Sequence, residues 1–245
     1  MIFREDFGTP AAARRAGMRA AFGMPALVLG ASYLGFGALI RQSGLTLPQG
    51  LASTITGWAL PGQIALVEIY ATGGTLLAAT LAVALSNARL LPMVLTLMPI
   101  LRAGDGSRRP RLRHFIAAHF VAITGWAISM QRAPDMPPAQ RLPFFAGFTV
   151  ALWLATVACT AVGFALAGLL PAYVTLGLVF INPLYFMLVF IADFRRRDRA
   201  LALAFGAVLG PAFFLIDADW GLLATGLVAG SLAFAIDRGL RGRTG

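Results

Sequence analysis

Residues 75–101 read TLLAATLAVALSNARLLPMVLTLMPIL. This is a run of about 27 residues, long enough to cross a bilayer, and it is apolar except for Ser86-Asn87-Ala88-Arg89 near its middle. An arginine at the centre of an inserting helix costs about 2.5 to 3.5 kcal/mol, whereas each Leu, Ile or Val there returns about 0.3 to 0.6. Leu76, Leu77, Leu81, Val83, Leu85, Leu90, Leu91, Val94, Leu95, Leu97, Ile100 and Leu101 together outweigh it by roughly 1 to 2 kcal/mol, so the segment inserts. Inside the membrane the guanidinium must face protein or a water-filled cavity, because lipid satisfies neither its donors nor its charge.

The rest of the chain has the same character. Its 245 residues are 58% hydrophobic and 12% charged, about half the charged fraction of an ordinary soluble domain, and the mean hydropathy is +0.78. Every basic residue is an arginine, and the net charge of +10 comes from arginine clusters at the ends of apolar runs. That is the pattern of a positive-inside membrane protein and not of a nucleic-acid-binding face. Cys159 is the single cysteine, which excludes an intrachain disulfide and leaves no redox pair.

Apolar segments at 20–40, 51–70, 75–101, 115–130, 144–169, 172–192, 201–216 and 220–236 predict an all-α polytopic helix bundle of about seven to eight transmembrane segments. Short connections leave no room for a soluble domain. The expected organisation is a cytoplasmic N-terminal arm at 1–19, a transmembrane domain at 20–237 and a basic cytoplasmic tail at 238–245. Arginines in the arm, at 195–199 and in the tail belong on the cytoplasmic side. Eight full crossings would strand the loop carrying Arg102, Arg108, Arg109, Arg111 and Arg113 on the other side. The conflict disappears if 51–70 and 115–130 are re-entrant or half-helical.

Two segments carry prolines near mid-span, in Pro61-Gly62-Gln63 and in Asn182-Pro183, and breaks there predict an internal repeat. A proline frees carbonyls at membrane depth, tolerated only against protein or water, and interrupted segments in two halves point to a transporter site. Arg89 and Asn87, two residues apart, diverge by about 200° around a helix and reach different neighbours. One can meet substrate while the other ties helices together, although a purely structural arginine is the plainer alternative. Gln63 offers donor and acceptor to a zwitterion or glues helices, and Gly62 lets a ligand approach the backbone. Glu68, the acid inside an apolar segment, can pair with Arg89, carry a proton or simply reach the interface. His114 and His119 lack the spacing of two metal ligands on one helix face, and no motif calls for a metal or cofactor. The tryptophans read as packing or belt residues. Gly206 with Gly210, and Gly226 with Gly230, make small-residue faces that pack on each other or on a partner subunit.

The chain resembles the AzlC family of large subunits of bacterial branched-chain amino acid exporters. The resemblance rests on Gly23-Met24-Pro25 leading to Gly35-Phe36-Gly37, on Trp58-Ala59-Leu60-Pro61-Gly62-Gln63, and on Asn87-Ala88-Arg89, in that order. It implies a small hydrophobic AzlD-type membrane partner and outward movement of valine, leucine, isoleucine or a related small amino acid across the inner membrane, for which the interrupted segments suggest alternating access. Histidines only at a segment edge, with Cys159 as the single cysteine, argue against an enzyme. Arg89, Asn87, Gln63, Gly62, Pro61 and Asn182 would then lie on the transport path, with Glu68 as an ion-pair or proton partner. The alternative is a structural or assembly subunit whose partner carries the transport site.

Overall fold

The computed structural model describes residues 5–105, 109–169, 171–192, 197–216 and 218–241, and all regular structure among them is helical. It divides into two compact units, Met1–Asn182 and Pro183–Gly245.

The first unit is organised along one long apolar helix, Pro138–Leu166. In chain order the preceding helices are α1 Pro10–Ala21, α2 Met24–Gln42, α3 Leu47–Gly57, α4 Leu60–Ala71, α5 Leu76–Asn87, α6 Leu90–Arg102, α7 Leu112–His119 and α8 Ile123–Arg132, which makes the long helix α9. Helix starts follow local chemistry. Thr9 caps α1 by accepting from the Ala12 amide at 3.1 Å, with Pro10 behind it, and Gln49 reaches back to the Thr46 amide at 2.8 Å ahead of α3.

Helices α1 and α2 run in the same sense as α9 and touch it backbone to backbone. A Cβ on Gly17 would collide with the Phe144 carbonyl, one on Gly147 with that of Arg14, one on Gly37 with that of Thr160 and one on Gly163 with that of Leu34. Apolar lipid provides little drive for helix association, so close packing of small residues has to supply it. The expected arm at 1–19 is therefore largely a helix seated on α9, with Ala13, Gly17 and Ala21 buried and Arg14, Arg15 and Arg19 exposed.

Contacts along α9 order everything else. Near its C-terminal end Arg41 donates to the Phe164 and Ala165 carbonyls at 3.2 and 3.3 Å, which suits a cation at a helix C-terminus. From that end α3 runs inward: Gly50 abuts Ile40, Thr54 meets Thr160 at 3.3 Å, and Trp58 donates to Thr156 at 2.9 Å. Then α4 turns back, because Gln63 reaches Ser53 and Thr54 at 3.1 Å. Helices α5 and α6 cross to the other end, where Leu97 and Leu101 pack with Phe145 and Gly104 abuts Pro138 and Ala139. From there α7 runs inward to Phe120, and α8 returns past Gly125, which touches Thr149 and Phe145, to Arg132 beside Phe144. Two hairpins thus enter from opposite ends of α9, and their tips meet at Trp58 and Phe120, ring centroids 6.2 Å apart.

At the Pro138 end the N-terminal residues clasp the start of α9. The Glu5 amide donates to the Asp135 carbonyl at 3.0 Å, the Phe7 amide to Gln140 at 3.0 Å, and Gln140 to Asp6 at 2.6 Å. The Gly8 amide and Gln140 hold the Asp6 carboxyl below its usual range. Nearby, Asp105 pairs with Arg113 at 2.6 Å and with His114. Burial alone would raise the Asp105 carboxyl, but Arg113 and His114 hold it low. The arginine-bearing loop and the N-terminal arm therefore share one end, the arrangement that incomplete crossings at 51–70 and 115–130 require.

By length and composition α2 and α9 can each span a membrane, and α5 with α6 make a third span if their bent halves are taken together. The division of α3–α4 and α7–α8 accounts for part of the difference from the seven to eight segments expected.

The break expected at Asn182-Pro183 is absent: α10, Ala172–Ala192, runs through both residues. A proline costs one helical hydrogen bond and crowds one carbonyl, but membrane helices absorb that loss through neighbouring groups. The paired-break argument for an internal repeat loses one member. The N-terminal half of α10 packs on α2, with Gly35 against the Val179 amide and the Thr175 carbonyl. In the second unit α11, Arg197–Ile216, packs on α12, Ala218–Arg241. Gly210 meets Thr225 at 3.8 Å, whereas Gly206, Gly226 and Gly230 meet no described atom within 4 Å, so the two glycine faces do not pair as expected. Ala229 and Ala233 form the buried stripe of α12 instead. Arg195, Arg243 and the loop's Arg108 lie outside the described residues.

Candidate functional site

Proline chemistry sets two of the interior breaks, each upstream of the proline itself. Pro61 has no amide to donate to the Gly57 carbonyl and its ring crowds that oxygen. Accordingly α3 ends at Gly57 and Trp58-Ala59 form the break, earlier than the Pro61-Gly62 position expected. Pro92 acts likewise on Ala88, whose carbonyl accepts from Leu91 at 3.1 Å instead. The apolar stretch is consequently two helices bent by 43° at Ala88-Arg89. Arg89 sits at a helix break, not within a continuous span.

The breaks bring separate motifs together. Gly62, in the first turn of α4, is buried, and a Cβ there would lie 2.9 Å from Asn87 Oδ1. Glycine is what allows the end of α5 to sit against the start of α4. Asn87 Oδ1 and Arg89 Nε are both buried with no hydrogen-bond partner among the described residues. A buried polar atom left unsatisfied costs about 1 to 3 kcal/mol, a cost that a ligand presenting complementary groups would remove.

The other candidates are placed differently. Gln63 is 3% exposed and fully engaged: Oε1 accepts from the Tyr33 hydroxyl at 2.9 Å, and Nε2 donates to Ser53 and Thr54 at 3.1 Å. With Thr54 on Thr160, it ties α2, α3, α4 and α9 together, so its role is to position α4. Pro61 is half-buried in the first turn of α4. Glu68 is exposed, about 9 Å along α4 from Gly62, and forms no ion pair with Arg89. Asn182 lies on α10, and its side chain is outside the description. His114 accepts from the Arg111 amide at Nδ1, 2.8 Å away, and faces Asp105 at Nε2, whereas His119 Nε2 lies 3.3 Å from the Ile55 carbonyl and links the two hairpin tips.

Replacing Gln63 with Leu strands the Tyr33 hydroxyl, on a side chain 1% exposed, whereas Thr54 keeps the Gly50 carbonyl and Thr160. The expected result is a lower melting temperature in detergent, corresponding to about 1 to 3 kcal/mol for the stranded hydroxyl. Unchanged melting together with lost amino acid binding would instead make Gln63 a ligand contact.

Sequence reading missed the threonines and the aromatic cluster. Thr149, Thr156 and Thr160 are fully buried on α9, and their recurrence at helical spacing in an apolar run was the available signal. Phe120 sits edge-on to Trp58 and also to Trp153, centroids 5.6 Å apart at 89°.

Broken helices that juxtapose unpartnered polar groups inside an apolar bundle are a pattern shared with membrane transport proteins. The chain belongs to the AzlC family: the model of the AzlC protein matches residues 25–170. That region holds both hairpins, α9, Gly62, Gln63, Asn87 and Arg89. The family is associated with branched-chain amino acid transport and works with a partner subunit. No curated protein and no solved structure matches the chain.

Proposed function

We propose that this protein exports branched-chain amino acids, or a related small amino acid, across the inner membrane by alternating access, together with a small AzlD-type hydrophobic subunit. The observation that carries the reading is the seating of Asn87 against Gly62, beside Arg89, at paired helix breaks. Arg89 would hold the substrate carboxylate through charge-assisted hydrogen bonds, Asn87 would add a polar contact, and Gly62 would let the ligand near the backbone. Gln63 and Pro61 would fix the start of α4. The two opposed hairpins supply elements that can move against α9, and the end bearing the N-terminal clasp and the 102–113 loop would face the cytoplasm under the positive-inside rule. The small subunit would take the open glycine faces of α11 and α12.

Efflux from dipeptide-loaded cells tests this reading. Cells lacking their own exporters, expressing the chain with the small subunit, are expected to release valine, leucine or isoleucine faster than cells with neither. If efflux is unchanged, and purified protein binds no labelled amino acid alone or with the partner, the chain is an assembly subunit.

A further inference from the structure

Helix α1 has a buried stripe and a cationic one. Ala13, Gly17 and Ala21, four residues apart, are buried against α9, and the backbone contacts at Gly17 and Gly147 fix how α1 sits there. Arg15, Met18, Arg19 and Phe22 recur at the i, i+3, i+4 and i+7 spacing of a single outward face. All four are exposed, Met18 to 44% and Phe22 to 70%.

Nothing in the protein neutralises that face. Arg14, Arg15 and Arg19 form no ion pair among the described residues. Three acids at the same end of α9 are engaged elsewhere: Glu5 lies 3.9 Å from Arg132, Asp6 accepts from Gln140 and the Gly8 amide, and Asp105 pairs with Arg113 and His114.

Helix lengths place α1 at the membrane boundary. The 29 residues of α9 make about 43 Å of helix, roughly 13 Å more than the hydrocarbon core, whereas the 19 residues of α2 cover that core alone. α1 precedes α2 and packs beside the first half of α9, with Ala13 against Met136 and Phe144. From Arg15 to Phe22, about 10 Å along the axis, its outer face changes from cationic to apolar. Met24 and Leu27, 67% and 66% exposed, continue the apolar part on α2.

We infer that this face is a binding site for an anionic phospholipid. Arg15 and Arg19 are helix neighbours, so both planar guanidiniums reach one phosphate, the geometry that arginine suits best. The acyl chains lie along Met18, Phe22, Met24 and Leu27. Charge followed by apolar surface within about 10 Å is the order of groups in a phospholipid, and an acidic protein segment would leave Phe22 and Leu27 uncovered. This site is independent of the transport path.

Native mass spectrometry of the purified full chain, titrated with dioleoylphosphatidylglycerol or dioleoylphosphatidylcholine, is the test. Wild-type protein is expected to hold the anionic lipid about tenfold or more tightly than the zwitterionic one. Arg15→Gln with Arg19→Gln is expected to weaken phosphatidylglycerol binding by about 10- to 30-fold and to leave phosphatidylcholine binding unchanged. Arg19→Gln alone, with an expected loss of about fivefold, covers the case in which the double variant does not accumulate. Equal retention of the two lipids by wild type overturns the inference. So does an equal loss on Arg238→Gln with Arg241→Gln, which removes the same charge from the second unit. Displacement of the lipid by millimolar inorganic phosphate overturns it as well, because the apolar half of the face would then contribute nothing.

Discussion

Arg89→Ala is expected to cut valine export by about 10- to 150-fold while leaving the protein at least as stable as wild type. The first part follows from the carboxylate contact, since a hydrogen bond to a charged group contributes about 1.5 to 3 kcal/mol. The second follows from the membrane, where removing a buried guanidinium whose Nε has no partner relieves about 2.5 to 3.5 kcal/mol of insertion cost. A purely structural arginine would behave oppositely, because its removal would loosen the bend between α5 and α6 and lower stability along with activity. Lysine at this position keeps the charge without the planar fork, and intermediate export is expected from it. Wild-type export by the alanine variant at normal expression would remove Arg89 from the site.

Gly163→Leu is expected to prevent accumulation of folded protein. A Cβ at this position meets the Leu34 carbonyl oxygen, with the Leu34 carbonyl carbon 2.7 Å and its Cα 2.9 Å away. These are backbone atoms and cannot rotate aside, so α2 and α9 must separate. Overpacking by movable side chains already costs about 1 to 3 kcal/mol, and parting two backbones along the main core exceeds that. Gly37, on the facing helix, is closed in the same way by Thr160, and Gly37→Leu should fail alike. Gly168 has no described atom within 4 Å of its Cβ position, so Gly168→Ala serves as the tolerated control. Size-exclusion profiles in detergent read the outcome. A monodisperse Gly163→Leu protein melting at the wild-type temperature would mean that α2 and α9 do not touch as described.

Several features were legible because they depend on nearest neighbours along the chain. Arg89 and Asn87 announce a polar site within the apolar run 75–101, and Pro61 announces an interruption. The interruption was misplaced because proline acts on the carbonyl one turn before it. The same rule applied to Pro92 would have located the bend at Ala88-Arg89. Gln63 was harder: an amide beside a glycine looks the same on paper whether it faces a ligand or three hydroxyls. Only the positions of Tyr33, Ser53 and Thr54, on other helices, distinguish the cases. The break between α7 and α8 has no local cause at all. No proline or glycine lies at 120–122, and the tip is held by the rings of Trp58 and Trp153 and by the Ile55 carbonyl. Pro183 shows the converse, a proline through which the helix continues.

Composition, apolar run length and arginine placement were enough to establish a helical membrane protein, because insertion free energy sums over local residues, while the resemblance to the AzlC family rested on the ordered motifs at 23–25, 35–37, 58–63 and 87–89. The tertiary structure alone decided that the two interrupted segments enter from opposite ends of α9, that Asn87 is the residue seated on Gly62, and that Gln63 is spent on holding α4. Those outcomes depend on which polar atoms find partners across helices, and hydrogen-bond satisfaction between distant segments is a property of packing that no local pattern encodes.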